Sequence, residues 1–440
     1  MTDRRLPLVL SGLTALRVGA SFLTYVLAAR RFGVGPEMDL FFLAITPLLA
    51  LVNITEAAGV GAAITFYARL QARSAAERDR AVAGLFLYVG GALLLLAALF
   101  AVAAGPVAGA LGRGLAAEPL ARLTALLRFS ALGVALAPIG LIAGVGLLRA
   151  RARFLTAAAL AFVPSALQIA ALLTIADTAE RFVAALVLGH AAAALGGLLG
   201  SARVLKPAWR APDGRAALAF LREVAPFAVA EFALQGIYVR ERQIAAGLPP
   251  GSLSALGMGL RLVAVAGTVV STGIEHTALP AIATAQFGGA APRARRHARE
   301  ALLYAAALTI AVGIPVFALT DLWVRLAFQR GAFDELAVAL TASAATAYVG
   351  LYAFNALGRV AIAAAFGRGR GWRVAAANAL VLLVYLALSA PMARAGGYGG
   401  LALAASIALG LGTVLALAAG FDARPAPSAP DSTPVPRSAA

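Results

Sequence analysis

Four stretches of this chain set polar and charged side chains at helical spacing within otherwise apolar sequence. Arg17, Ser21, Thr24 and Arg31 fall at i, i+4, i+7 and i+14; Glu231, Gln235, Tyr238 and Arg242 fall at i, i+4, i+7 and i+11. At about 100° per residue, each set occupies one face of a helix. Arg261, Thr268, Thr272 and Glu275 repeat the pattern, and a weaker version aligns Thr46 with Asn53, with Glu56 one turn on. A guanidinium is suited to bidentate capture of phosphate oxygens. Gathered in one cavity, Arg17, Arg31, Arg242 and Arg261, with Gln235 as a polar neighbour, suit an anionic, phosphate-bearing head group. Glu56, Glu231 and Glu275, with His276 beside the last, would balance the empty site or couple it to a cation.

An ionised group at the centre of a membrane costs ~2.5–3.5 kcal/mol on insertion scales, so such groups normally face a bundle interior or a watery cavity. Blander roles compete with binding. Arg17 and Arg31 near helix ends can snorkel to the interface, and Glu231 or Glu275 can serve only to neutralise Arg242 or Arg261. His276 reads as a proton relay or as a hydrogen-bonded packing residue. Arg240 and Glu241 lie off the stripe, Arg240 as an interfacial residue, while Arg222 and Glu223 sit near a helix end as solvated charges.

The elements that must present these faces follow from composition. Hydrophobic residues make up 61% of the chain and charged ones 13%, against roughly 25% charged in soluble domains. Apolar stretches such as 81–104 and 154–176 recur along the whole length, long enough to cross a hydrocarbon core of ~30 Å. No alternating strand pattern supports a barrel. The expected fold is an all-α polytopic membrane protein with about twelve transmembrane helices: 7–32, 39–68, 81–104, 124–149, 154–176, 182–204, 217–247, 252–284, 299–318, 335–365, 372–393 and 397–420. The stretch after Arg4 and Arg5 is too long for a signal-peptide core and is expected to stay as the first helix.

Basic residues gather at alternate joints. Arg69/Arg73/Arg78/Arg80, Arg149/Arg151/Arg153, Arg203/Lys206/Arg210/Arg215, Arg293/Arg295/Arg296/Arg299 and Arg368/Arg370/Arg373 form one set, and joints 33–39, 177–181, 247–251 and 321–335 are neutral or mixed. The positive-inside rule places the first set and both termini in the cytoplasm, in a bacterial inner membrane. The chain also resembles itself at an offset of about 215–220 residues: RRFGVGPEMDLFF follows the first helix and AAGLPPGSLSAL the seventh, while LLRARARFLTAAALA and FGRGRGWRVAAANAL join helices four to five and ten to eleven. An even repeat keeps orientation, so two six-helix lobes, 1–206 and 207–421, are expected about a pseudo-two-fold axis along the membrane normal. Residues 422–440, rich in Pro and Ser, read as a disordered cytoplasmic tail.

The same composition excludes several classes. There is no cysteine, which removes disulfides, thiolate metal sites and Cys nucleophiles. His190, His276 and His297 make no metal-ligand spacing, no GxxxxGK[ST] loop occurs, and no catalytic constellation stands out. No metal, cofactor or enzymatic activity is expected. The net charge of +17 belongs to loops facing anionic lipid, so membrane lipids are expected partners and nucleic acid is not.

Three stretches resemble a known family. AARRFGVGPEMDLFFLA is similar to the segment after the first helix in the MurJ/MviN lipid II flippases, of the multidrug/oligosaccharidyl-lipid/polysaccharide exporter superfamily. GSLSALGMGLRLVAVAGTVVSTGIEHTALPAIA resembles that family's eighth-helix region, and RLAFQRGAFDELAVALTASAATAYVGLYAFNALGRVAIAAAFGRGRGWRVA its ninth-to-eleventh. The resemblance implies V-shaped lobes, alternating access and export of a polyprenyl-pyrophosphate-linked saccharide. Arg261 matches the family's helix-eight arginine and Arg17 lies one position off its first helix-one arginine. The family's helix-one Arg-Asp pair falls here on Thr24 and Tyr25, and its helix-two basic residues on Val52 and Asn53. Its two further C-terminal helices have no counterpart among the twelve. A divergent member carrying another lipid-linked saccharide fits these departures. A cation-coupled drug exporter of the same superfamily and a non-transporting envelope scaffold are the alternatives.

Overall fold

The computed structural model describes the backbone of residues 6–421 apart from 72, 207, 288–290 and 368–369. The side chains of 6–11, 14, 204–205, 269, 271–287, 291, 294–295, 363 and 366–367 are also outside the description. Among the described residues there are twelve long helices: α1 (Leu6–Phe32), α2 (Pro36–Leu70), α3 (Ala75–Val102), α4 (Ala117–Ala150), α5 (Phe154–Thr174), α6 (Ala179–Leu205), α7 (Gly214–Ala245), α8 (Ser252–Phe287), α9 (Ala291–Ala318), α10 (335–367), α11 (371–395) and α12 (398–421). Short helices Ala104–Leu111 and Thr320–Phe328 fill two joints, and no strand occurs among the described residues. The twelve expected helices each have a counterpart. The two short ones are too brief to show periodicity and lie outside the expected set, and α3, α4 and α9 begin earlier than expected, at Ala75, Ala117 and Ala291.

Among the described residues, seven helices are long and apolar enough to cross a membrane, or eight with the bent pair. The long helix α7 is not among them, because Arg222, Glu223, Glu231, Arg240, Glu241 and Arg242 dilute its hydropathy. A composition test thus passes over a helix that carries a polar face. α10, expected as one helix, bends by 52° between Ala347 and Val349. Gly396 and Gly397 leave helical geometry and separate α11 from α12.

Helices α1–α6 pack chiefly on one another and α7–α12 likewise, with α2 against α7 and α1 and α2 against α8 joining the two sets. Small residues allow close approach. A Cβ added at Gly197 would sit 2.7 Å from the Gly144 backbone, where α6 crosses α4. That is the device of membrane interfaces, in which packing replaces a hydrophobic drive between helices. Four helical stretches widen to i→i+5 bonding: Thr55–Gly59, Leu85–Val89, Leu141–Leu147 and Phe354–Gly358. Such bulges re-aim side chains and recur at functional sites. Three of the four contribute residues to the cavity described next.

Candidate functional site

A cavity of about 1250 Å³ lies between the two sets of helices. Its wall includes Arg17, Arg149, Arg242, Arg261 and Arg359, against Glu56 and Glu231 as the only carboxylates among the described lining residues. Five guanidiniums facing two carboxylates make it an anion-attracting chamber.

On the C-terminal wall, Arg242 of α7 is buried. Its Nη1 donates to Thr46 Oγ1 of α2 at 2.9 Å, and the Thr46 hydroxyl in turn donates to the Phe42 carbonyl at 2.7 Å. The guanidinium lies 5.8 Å from the centroid of Phe42. Arg261 of α8 lies 4.3 Å over the Tyr25 ring of α1. Both cations therefore reach the opposite wall through a hydroxyl and aromatic faces, and neither forms a salt bridge with a described carboxylate. Cation–π contact is worth about 0.5–2 kcal/mol and, unlike an ion pair, leaves the positive charge uncancelled.

The N-terminal wall is built differently. Arg17 Nη2 lies 2.7 Å from Glu56 Oε1, with Glu56 re-aimed by the widened turn Thr55–Gly59. Asn53 Nδ2 donates to Gln235 Oε1 at 3.2 Å, and Gln235 Nε2 donates to Glu231 Oε1 at 2.7 Å, a polar relay joining α2 to α7. Arg359 lies within electrostatic range of Glu231, and both Arg149 and His190 lie within range of Glu56.

At the end bearing the neutral joints, one carboxylate fastens the two sets of helices. Asp39, near the start of α2, accepts from the backbone N–H of Gly251 and of Ser254, each at 2.7 Å, and from the Ser254 hydroxyl. A side chain of one set thus caps the N-terminus of α8 in the other, where the unpaired N–H groups and helix dipole favour an anion. Gly251 has φ +89°, and its N–H meets Asp39 only because the chain turns there through a conformation that side-chain-bearing residues rarely adopt. Alongside, Ala332 N donates to the Arg30 carbonyl at 2.9 Å and Gln243 Nε2 to the Ala110 carbonyl at 2.8 Å. A Cβ on Gly33, whose φ is +63°, would come within 2.3 Å of the Ala332 carbonyl oxygen.

Of the residues singled out from sequence, Arg17, Glu56, Glu231, Gln235, Arg242 and Arg261 line the one cavity. Arg31 does not: it is exposed at the far end of α1, because the face followed over fourteen residues runs past the cavity before it ends. Glu275 and His276 lie outside the described side chains. Arg17, for which spacing suggests no acidic partner, takes Glu56, while Glu231 bonds Gln235 rather than Arg242. Arg240, read as interfacial, is half-buried and donates to Gln243; Glu223, read as solvated, pairs with Arg69. Glu241 is buried off the stripe, packed near Tyr348. Sequence reasoning missed Asp39, Arg149, His190 and Arg359. Arg149 was absorbed into a basic joint, and the other three carried no local signal.

The family described as "Lipid II flippase MurJ" matches residues 28–419. Comparison with curated proteins returned no match. Among solved structures, the lipid II flippase MurJ in an inward closed conformation superposes with a TM-score of 0.79 at 19% identity, covering 93% of this chain and 87% of that one. An inward-facing multidrug resistance MATE transporter of the MOP superfamily gives 0.71 at 16% identity, with 92% of each chain covered. A MOP superfamily transporter from Pyrococcus furiosus, described by a reversed polarity of its binding pocket, gives 0.62 at 16%, covering 94% of this chain and 92% of that one. At these identities the structural likeness speaks for the fold.

Proposed function

Because the chain belongs to the lipid II flippase MurJ family, it moves a lipid-linked cell-envelope precursor across the membrane, and we propose that Arg242 and Arg261 hold that precursor's pyrophosphate inside the cavity. The observation that carries this reading is the pair itself. Two guanidiniums from one wall reach the other through Thr46, Phe42 and Tyr25, with no described carboxylate bonded to either. Phosphate oxygens match that fork geometry better than any neutral group does. Gln235, at the same wall, hydrogen-bonds the saccharide, and Glu56 and Glu231 neutralise their neighbours when the chamber is empty. A coupling cation is drawn to Glu231, the described lining carboxylate that forms no salt bridge with a described arginine.

The basic joints face the cytoplasm of the inner membrane, with both termini on that side. The lobes 1–206 and 207–421 then rock about the cavity. With Asp39 latched onto α8, the chamber is shut at the neutral, outward end; breaking that latch opens the outward route. A drug exporter of the MATE type, expected to favour cationic substrates through a compact acidic site, fits a chamber of five arginines and two glutamates less well. A scaffold acting through its basic loops would be indifferent to Arg242→Ala. The test is leaflet labelling. Depleting the protein leaves intact precursor in the cytoplasmic leaflet, beyond the reach of an outward label, and undiminished outward labelling overturns the reading.

A further inference from the structure

We propose that the cavity contains a second anion subsite on its N-terminal wall, built by Arg149 with Arg17, Glu56 and His190, which receives a carboxylate borne by the saccharide. It rests on the reading that Arg242 and Arg261 take the pyrophosphate. Four helices converge there: α1, α2, α4 and α6 supply one residue each, and all four line the chamber.

Charge bookkeeping sets this cluster apart. Glu231 has Arg359 within range on its own wall, and Glu56 forms its ion pair with Arg17. Arg149 sits near both Arg17 and Glu56, yet no described residue gives it a hydrogen bond or ion pair of its own. Two guanidiniums thus share one carboxylate beside the His190 ring, and the cluster keeps about one uncompensated positive charge. Of the three arginines of that joint only Arg149 lines the chamber; Arg151 lies over the Tyr67 ring instead.

Position decides what such a cluster can bind. Tyr25, beneath Arg261, lies eight positions along α1 from Arg17, and Thr46, bonded to Arg242, lies ten positions along α2 from Glu56. At 1.5 Å per residue the two clusters stand ~12–15 Å apart along the helices. A pyrophosphate is too short to touch both. A ligand that satisfies both carries a second negative group at about that distance, beyond at least one sugar ring. The favoured substrate is therefore an acidic lipid-linked saccharide, with an acid-bearing peptide or sugar, rather than a neutral one.

The probes are a polyprenyl-pyrophosphate disaccharide bearing a peptide with free carboxylates, and the same lipid with those carboxylates converted to amides. Dissociation constants are measured for the full chain in nanodiscs of zwitterionic lipid, and again with anionic lipid added. The native protein should bind the free acid about tenfold more tightly than the amide, the size of one charge-assisted hydrogen bond. Arg149→Gln should abolish that preference while leaving the amide's affinity unchanged, which also reports correct folding. Arg149→Lys should keep most of the preference, and Arg242→Ala should weaken both lipids alike. Equal affinity of the native protein for both lipids overturns the subsite, as does loss of both on Arg149→Gln. So does a preference erased by anionic bulk lipid, since Arg149 would then be a lipid contact. If the native protein binds neither probe, the pyrophosphate reading itself fails and the subsite falls with it.

Discussion

On the C-terminal wall of the cavity, Arg242 and Arg261 reach across to Thr46, Phe42 and Tyr25, whereas on the N-terminal wall Arg17 is tied to Glu56 within its own set of helices. A guanidinium resting on a ring or a hydroxyl keeps its net charge, and an incoming anion adds to the existing contacts. A guanidinium in an ion pair must share or exchange its partner first, so part of the gain is cancelled. Residue type is the same on both walls; the partner decides how much of the charge a ligand can use. The contrast also separates tasks. The cations of the C-terminal wall span the two sets of helices, so a ligand bound there senses their relative position.

The sharpest way to break this contrast is to delete the spanning cations. Arg242→Ala and Arg261→Ala should each lower precursor transport by about 10- to 100-fold, the worth of one or more hydrogen bonds to a charged group, measured in proteoliposomes. Arg17→Ala should cost clearly less; equal losses from all three would erase the distinction between the walls. The next effect concerns the latch. Asp39→Ala should remove the cap on α8, at a cost of about 0.5–2 kcal/mol, and shift the population toward a parted neutral end. The chain has no cysteine, so cysteines placed at Arg30 and Ala332 report the change directly as slower disulfide trapping. Smaller still, Glu56→Gln should release Arg17 and tighten binding of an anionic head group by about two- to fivefold, in line with a part-exposed ion pair. Smallest of all, Arg31→Ala should leave transport within about twofold of the native rate, since its side chain lies away from the chamber.

Much of this was legible because membrane helices write their polar faces into local periodicity. The stripes of α1, α7 and α8 needed only spacing, and they led to Arg17, Gln235, Glu231, Arg242 and Arg261. What periodicity lacks is depth and partner. Arg31 shares the angle of Arg17 but sits three to four turns further along, outside the chamber. The Thr46–Arg242 bond joins residues 196 apart and the Asp39–Gly251 bond residues 212 apart, and neither leaves a mark in the neighbouring sequence. Asp39 in particular looks like an ordinary first-turn acid of α2, although the N–H groups it meets belong to α8. Arg149 was hidden for the opposite reason: it stands in a basic joint with Arg151 and Arg153, and the expected topology sufficed to explain it. The bend in α10 was equally silent: Gly350 lies two residues beyond Tyr348, but one glycine among 45 in the chain does not by itself mark a break.

The central claim is that Arg242 and Arg261 act together on a pyrophosphate, and a binding cycle tests it most directly. Dissociation constants for the same polyprenyl-linked saccharide on a pyrophosphate and on a monophosphate are measured against the native chain, the two single alanine variants and the double variant, in nanodiscs. The account predicts that the native protein prefers the pyrophosphate by at least about tenfold, and that the double variant loses that preference. Each single variant should retain part of it. A double variant that still binds the pyrophosphate lipid as tightly as the native protein would contradict the account.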